Sequence, residues 1–162
     1  MTTNAPIHHL RPVREEDRAW VLSLAPRLGE CPLPPWRTQA EVGGGEGRTL
    51  MEAIPTPPEG CALLVAEDPG KRPRGFIYLE SHADYFTHRP YAHIGSLAVD
   101  PAAEGRGVAR ALVAAGEEWA RARGFDRITL NVFDGNSRAR RLYERLGYSV
   151  ETLHYLKPLS RS

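Results

Sequence analysis

Leu97-Ala-Val-Asp-Pro-Ala-Ala-Glu-Gly-Arg-Gly-Val-Ala-Arg-Ala-Leu112 reads as a strand, a proline-marked turn and two glycines that open a helix. Gly105 and Gly107 let the backbone approach a ligand closely, and the unpaired N–H groups of a first helical turn carry about half a positive charge between them. A turn of this kind binds phosphate. Glycine pairs before helices also occur simply to turn the chain, so the neighbouring sequence has to decide. A dinucleotide fingerprint requires a third glycine where Arg110 stands, and a P-loop requires Gly-Lys-Ser/Thr, which the chain lacks.

Outward from this turn, apolar runs of strand length occupy 62–66, 75–79, 92–99 and 128–133. Asp68-Pro-Gly-Lys71 joins the first two as a hairpin. Val108, Leu112, Ala115, Trp119 and Ala122 recur at helical spacing up to Gly124, and Ala139, Leu142, Tyr143 and Leu146 form a second stripe between a cap at Asn136 or Ser137 and Gly147. Tyr148 to Tyr155 reads as a final strand. At the other end, Ile7 to Arg11 reads as a short strand, and Trp20, Val21, Leu24 and Leu28 as a helix after Glu15-Glu-Asp17. The stretch 26–58 is rich in proline and contains Gly43-Gly-Gly45, so it reads as loops around one or two short helices. The expected fold class is α/β (α+β), with a central mixed, mostly antiparallel sheet of about six to seven strands and helices on both faces.

Composition narrows the function. The 162 residues, 41% hydrophobic and 25% charged, suit one domain spanning 1–162. A net charge of +1 supplies no general field for nucleic acid or an anionic membrane. No apolar run approaches the roughly 20 residues of a membrane helix, and the start lacks the regions of a signal peptide, so a cytoplasmic protein is expected. Cys31 and Cys61 lack metal or redox spacing, and His8, His9, His82, His88 and His154 lack ligand spacing, so no metal is expected. Arginines 121, 123, 138, 140 and 141 are interleaved with Glu117, Glu118 and Glu144 and read as solvated helix faces.

The glycine turn, Glu104-Gly-Arg-Gly-Val-Ala109, resembles the Arg/Gln-x-x-Gly-x-Gly/Ala signature of the GCN5-related N-acetyltransferase (GNAT) superfamily. A second block, Asn136-Ser-Arg-Ala-Arg-Arg-Leu-Tyr143-Glu-Arg-Leu-Gly147-Tyr148, resembles the same family's Asn-x-x-Ala-x-x-x-Tyr-x-x-x-Gly-Tyr/Phe. The likeness covers roughly 61–159; residues 26–58 match nothing specific and lie, in such enzymes, toward the acceptor. One departure is Glu104, where the family usually has Arg or Gln. A carboxylate facing a pyrophosphate would repel it, so the Glu104 side chain is expected to face away, with Arg106 or Arg110 restoring positive charge.

The resemblance implies acetyl transfer from acetyl-CoA to a primary amine, of a small molecule or a peptide N-terminus, by direct attack in a ternary complex. It assigns the pyrophosphate to the amides of Gly105, Arg106, Gly107, Val108 and Ala109, and the pantetheine to the strand edge at Leu97, Ala98 and Val99, with Asn136 as a cap that also touches it. A backbone N–H near Leu97 or Ala98 would stabilise the developing charge. Tyr143 stands at the family's position for the acid that protonates the thiolate, although periodicity alone makes it a core residue. An alkylammonium must lose a proton before attack; His93 is the first candidate base and Glu80 the second, while His93 also reads as a strand-end residue in solvent. Trp36, Tyr85, Phe86 and Tyr91 either wall the acceptor pocket or pack loops. The other reading is a non-catalytic acyl-CoA-binding or regulatory module on the same fold. A homodimer follows from family habit alone, since no sequence feature demands it.

Overall fold

The structure, a computed structural model, describes residues 8–160, so Ile7 of the expected first strand lies outside the described residues. The elements are β1 (His9–Pro12), α1 (Arg18–Leu24) continuing as a 3-10 turn (Ala25–Gly29), α2 (Gln39–Glu52), β2 (Ala62–Glu67), β3 (Pro73–Ala83), β4 (Pro90–Val99), α3 (Val108–Ala122), β5 (Ile128–Leu130) and α4 (Ser137–Arg145). The strands lie in the sheet in sequence order. Neighbours from β1 to β4 are antiparallel, and β4 and β5 are parallel.

Helices cover both faces, and for this reason β2 to β4 read as near-continuous apolar runs. Leu63, Val65, Phe76, Tyr78 and Ala98 meet Val21 and Leu24 of α1 and Leu50 of α2 on one side. Ile77, Leu79 and Ile94 meet Val108 and Leu112 of α3 on the other. Within β4 the register shifts: Ser96 faces Tyr78 but Ile94 faces Leu79, leaving Gly95 as the extra residue of a bulge. The bulge reverses the alternation, so Ile94, Leu97 and Val99 all pack on the α3 side while Ala98 packs on the other.

Two sequence expectations are corrected. The glycine run does not make a loop: Gly43, Gly44, Gly45 and Gly47 lie inside the fourteen-residue α2. Thr38 starts that helix with a capping box, its Oγ1 accepting from the Glu41 amide at 3.1 Å while the Glu41 carboxylate accepts from the Thr38 amide at 2.8 Å. Close packing asks for at least one of the glycines, since a Cβ on Gly43 would stand 3.1 Å from the Pro26 Cα. The second correction concerns strand number, five among the described residues rather than six or seven, because 148–155 forms no strand; β5 also ends early, at Leu130. Tyr148 is tethered, its amide donating to the Tyr143 carbonyl at 3.0 Å and its hydroxyl to Glu117 at 3.2 Å. Beyond it, residues 149–160 are exposed throughout.

At the β1 edge, Arg11 is buried between two carboxylates. It donates to Asp17 through Nη1 at 2.7 Å and Nη2 at 2.9 Å, and through Nε to Glu67. A concavity of about 500 Å³ opens here, with His9, Arg14, Glu16 and Lys71 on its walls. Its central cation is already neutralised from within, and none of its lining residues belongs to the glycine turn.

Candidate active site around the β4 edge

β5 pairs with β4 only from Ala92 to Ile94. Past Ile94 the β5-side edge of β4, from Gly95 to Val99, has no strand partner among the described residues, while β3 pairs with Leu97, Ala98 and Val99 on the opposite edge. An unpaired strand edge holds backbone donors and acceptors ready for an extended, amide-bearing ligand. Leu97 and Val99 are half-buried, and Ala98 is buried.

The chain leaves β4 at Asp100, whose carboxylate accepts from the Ala102 amide at 2.9 Å. It then passes through a single 3-10 turn (Pro101–Ala103) into the glycines. Gly105 (φ 74°) and Gly107 (φ 79°) are both left-handed, and a Cβ on either would meet no atom within 4 Å. The surface over them is therefore open. The first amide of the α3 end to bond back is that of Ala111, to the Gly107 carbonyl at 3.0 Å; no side chain caps the helix. The amides of Val108, Ala109 and Arg110 are left as donors at the positive end of a fifteen-residue helix. These residues fit a pyrophosphate. His8, dismissed in the sequence as a ligand, makes an unforeseen contact here, its Nε2 donating to the Arg106 carbonyl at 3.1 Å.

Glu104 turns to Arg27, on the 3-10 turn after α1, and to Arg138 of α4 at 3.3 Å; both guanidinium groups meet the same carboxylate oxygen. Arg138 and then Arg27 hold this carboxyl below the usual carboxylate range. Its charge is compensated on the spot. Arg106 and Arg110 are exposed and form no ion pair among the described residues, so both cations remain available beside the turn. Asn136 caps α4, its Oδ1 accepting from the Ala139 amide at 3.2 Å.

Tyr143 packs against the α3-side cluster that includes Leu97 and Val99, with its ring edge-on to Tyr148 at 5.5 Å. Its hydroxyl makes no hydrogen bond among the described residues, and burial pushes its pKa up to about 12. The phenol thus keeps its proton across the neutral range and can give it to a base formed beside it.

His93 and Glu80 face each other directly across β3 and β4, on the α1–α2 side of the sheet. The Glu80 carboxylate lies over the bulge, where a Cβ on Gly95 would come within 3.1 Å of Oε2. His93 is half-buried rather than solvated. Its Nδ1 meets Thr129 Oγ1 of β5 at 2.7 Å, and its ring stacks on His82 at 4.7 Å, which in turn meets Glu80 Oε2 at 3.3 Å. Burial first, and the charge of His82 second, push the His93 pKa below its ordinary 6.5, against an opposing pull from Glu80. The structure thus gathers Glu80, His82 and His93 on one side of β4 and Tyr143 with Leu97 and Val99 on the other.

Sequence reasoning missed Glu46. It sits on α2 and lines a cleft of about 290 Å³ together with Arg37, Glu41, Val42, Thr49 and Phe133. Burial, and then the negative charge of Glu80, raise its carboxyl above the usual range. The signal was present: Val42, Glu46 and Thr49 follow helical spacing, but they stand in a glycine run that reads as loop. The expected wall residues Tyr85 and Phe86 are 87% and 86% exposed, packed edge to face on each other at the β3–β4 hairpin end.

A mixed sheet whose β4 edge is unpaired past Ile94, a glycine turn feeding a bare helix N-terminus, and Tyr143 on one side of that edge with His93 and Glu80 on the other make one connected candidate site. The profile of the acetyltransferase (GNAT) family matches residues 32–148, and the chain belongs to that family. It is 32% identical over 140 residues to a mycothiol acetyltransferase of Salinispora arenicola, covering 86% of this chain and 43% of the relative. The chain thus spans less than half the length of such relatives. Among solved structures it superposes on a ribosomal-protein-alanine N-acetyltransferase from Brucella melitensis biovar Abortus 2308 with a TM-score of 0.68 at 16% identity, covering 94% of this chain and 100% of that one. It superposes equally on aminoglycoside N-acetyltransferase AAC(6')-Iy in complex with CoA, at 0.66 and 19% identity with both chains fully covered. These likenesses establish the fold. Among the described residues no helix is long and apolar enough to cross a membrane.

Proposed function

We propose that the chain is a single acetyltransferase domain that moves an acetyl group from acetyl-CoA to a primary amine, on a small molecule or a peptide N-terminus, by direct attack in a ternary complex. The observation that carries this reading is the free β4 edge at Leu97 to Val99, which runs straight into the open turn at Gly105 and Gly107. Acetyl-CoA held there supplies a thioester whose C–S bond breaks as the amine nitrogen bonds to the acetyl carbon. Tyr143, on the α3 side, protonates the departing sulfur. His93, on the opposite side and held neutral by burial, takes the proton that the amine loses, and Glu80 stands beside it as the alternative base. Two carboxylates, Glu46 and Glu80, make that side attractive to a cationic amine.

The reading is tested first with a panel of amines and peptides assayed for CoA release. Turnover with any of them supports it; cofactor binding with no turnover replaces it by a non-catalytic acyl-CoA module. Tyr143→Phe keeps the ring and its packing but removes the proton, so we expect unchanged thermal stability and cofactor affinity with kcat lower by roughly 10²-fold. Equal kcat in both proteins returns Tyr143 to a packing role.

The pH profile separates the two bases. His93 must be neutral to accept a proton, and its pKa lies below 6.5, so kcat/KM should rise through a value under 6.5 in the wild type. His93→Ala should remove this limb, and Glu80→Gln should keep it but move it to lower pH, because the opposing pull of Glu80 is gone. Loss in the Glu80 variant alone assigns the proton to Glu80, and persistence in both shows that water carries it.

A further inference from the structure

Thr129 is the partner of His93 across the parallel β4–β5 ladder. Its neighbours Ile128 and Leu130 pack on the α3 side, so strand alternation turns the threonine to the opposite face, where His93 lies. There Oγ1 stands 2.7 Å from His93 Nδ1. A β-branched side chain is stiff at χ1, and the ladder fixes its backbone opposite that of His93, so the hydroxyl is held rigidly. His82 covers one face of the imidazole, with ring centroids 4.7 Å apart and planes 20° apart. The other ring nitrogen, Nε2, makes no hydrogen bond among the described residues. It is not sealed in either, since the sealed polar side-chain atoms without a partner are His8 Nδ1 and Ser96 Oγ. One nitrogen is engaged and the other is open.

Which nitrogen of a neutral imidazole carries the hydrogen follows from the bond that the other one makes. If the threonine donates, the lone pair sits on Nδ1 and the hydrogen on Nε2, and the open nitrogen cannot accept a proton. If Nδ1–H donates, the lone pair lies on Nε2. An imidazolium carries hydrogen on both nitrogens, so only the second form keeps its bond to Thr129 when the ring is charged. The other titratable or charged groups on this face are Glu80 and His82 of β3, Tyr91 of β4 with Arg127 over its ring, and Glu46 of α2 within reach of the Glu80 charge. None of them hydrogen-bonds to His93, which leaves the choice to Thr129.

We propose that Thr129 is a positioning residue for the proton transfer: its Oγ1 accepts from His93 Nδ1–H and so leaves the Nε2 lone pair to take the proton of the acceptor amine. The ammonium N–H bond breaks, its electron pair stays on the nitrogen that attacks the thioester, and the proton bonds to Nε2. Nδ1 keeps its own hydrogen and shares it with Thr129, in a bond that tightens as the ring gains charge. This inference rests on the reading of His93 as the base.

NMR of the imidazole nitrogens tests it, with the His93 signals identified by their loss in His93→Ala. Above its titration, wild-type His93 should show a protonated Nδ1 and a bare Nε2. Thr129→Val keeps the branching but removes the acceptor, so it should lose this preference with circular dichroism and acetyl-CoA affinity unchanged. Its kcat should fall by roughly tenfold, a part of the 10²- to 10⁴-fold that a placed base contributes. The acid limb of kcat/KM should move to lower pH, because the charged ring has lost a hydrogen bond that favoured it. Thr129→Ser should restore each property. A wild-type ring protonated at Nε2 overturns the proposal, and so does a limb that moves to higher pH in Thr129→Val, since both mean that the threonine donates. The ring signals need no turnover and so separate the two assignments. A tautomer that changes as expected while kcat stays the same overturns the positioning role by removing His93 as the base, whereas a wrong tautomer with the His93-dependent limb intact overturns Thr129 alone.

Discussion

Gly107→Glu is expected to abolish the stabilisation that acetyl-CoA confers. A ligand that binds only the folded state at a thousand times its Kd raises stability by about 4.1 kcal/mol, and that whole increment should vanish. Gly107 sits at φ 79° with open space where a side chain would go, the space in which we place the pyrophosphate. A glutamate there puts bulk and negative charge against the free amides of Val108 to Arg110. Because a left-handed residue other than glycine also strains the fold by about 1–2 kcal/mol, Gly107→Asn serves as the control. It carries no charge and tolerates this conformation, so it should lose some basal stability yet retain most of the shift. Thermal scans with and without acetyl-CoA decide the matter: an undiminished shift in Gly107→Glu places the cofactor elsewhere.

Arg11→Ala is the substitution expected to destabilise the fold most, by about 3–5 kcal/mol, because it leaves Asp17 and Glu67 facing each other in the interior without their shared cation. Replacing all three with Met, Asn and Gln should cost far less, since no charge is then left unpaired. The pH dependence has a definite sign. Burial pushes the Asp17 carboxyl up, but the Arg11 hydrogen bonds and charge and the Arg14 amide, donating at 2.7 Å, outweigh it and hold it below its ordinary 3.8. A group with a lowered folded-state pKa contributes fully above its unfolded value and loses that contribution as pH falls through the folded one. Urea unfolding at pH 7 and pH 3 should therefore show a gap between wild type and Arg11→Ala that narrows at the acid end.

The parts of the fold readable beforehand were those written in short-range chemistry. Val108 to Ala122 became a helix because its apolar stripe, its opening glycine and its closing glycine agree, and the β2–β3 hairpin formed because Asp68 to Lys71 is turn chemistry between two apolar runs. The Glu104 side chain pairs with Arg27 and Arg138, which come from segments 77 and 34 residues away. No local pattern could name them.

Other features depend on which surfaces meet. A glycine run is a poor helix in isolation, and α2 forms because a capping box starts it and because Gly43 lets it pack against Pro26, a contact that helix propensity does not record. This in turn places Glu46 beside Glu80, which the sequence order leaves unrelated. The bulge at Gly95 sends Leu97 and Val99 to the side of Tyr143, and leaves His93 and Glu80 on the other. By itself the sequence determined the alternating elements, the glycine turn that opens α3 and the family blocks, because each is a matter of residue type at fixed short spacing. The tertiary structure alone decided which side of β4 Tyr143, His93 and Glu80 occupy, and that 148–155 forms no strand, because alternation specifies which faces a strand presents and says nothing about which edge receives it.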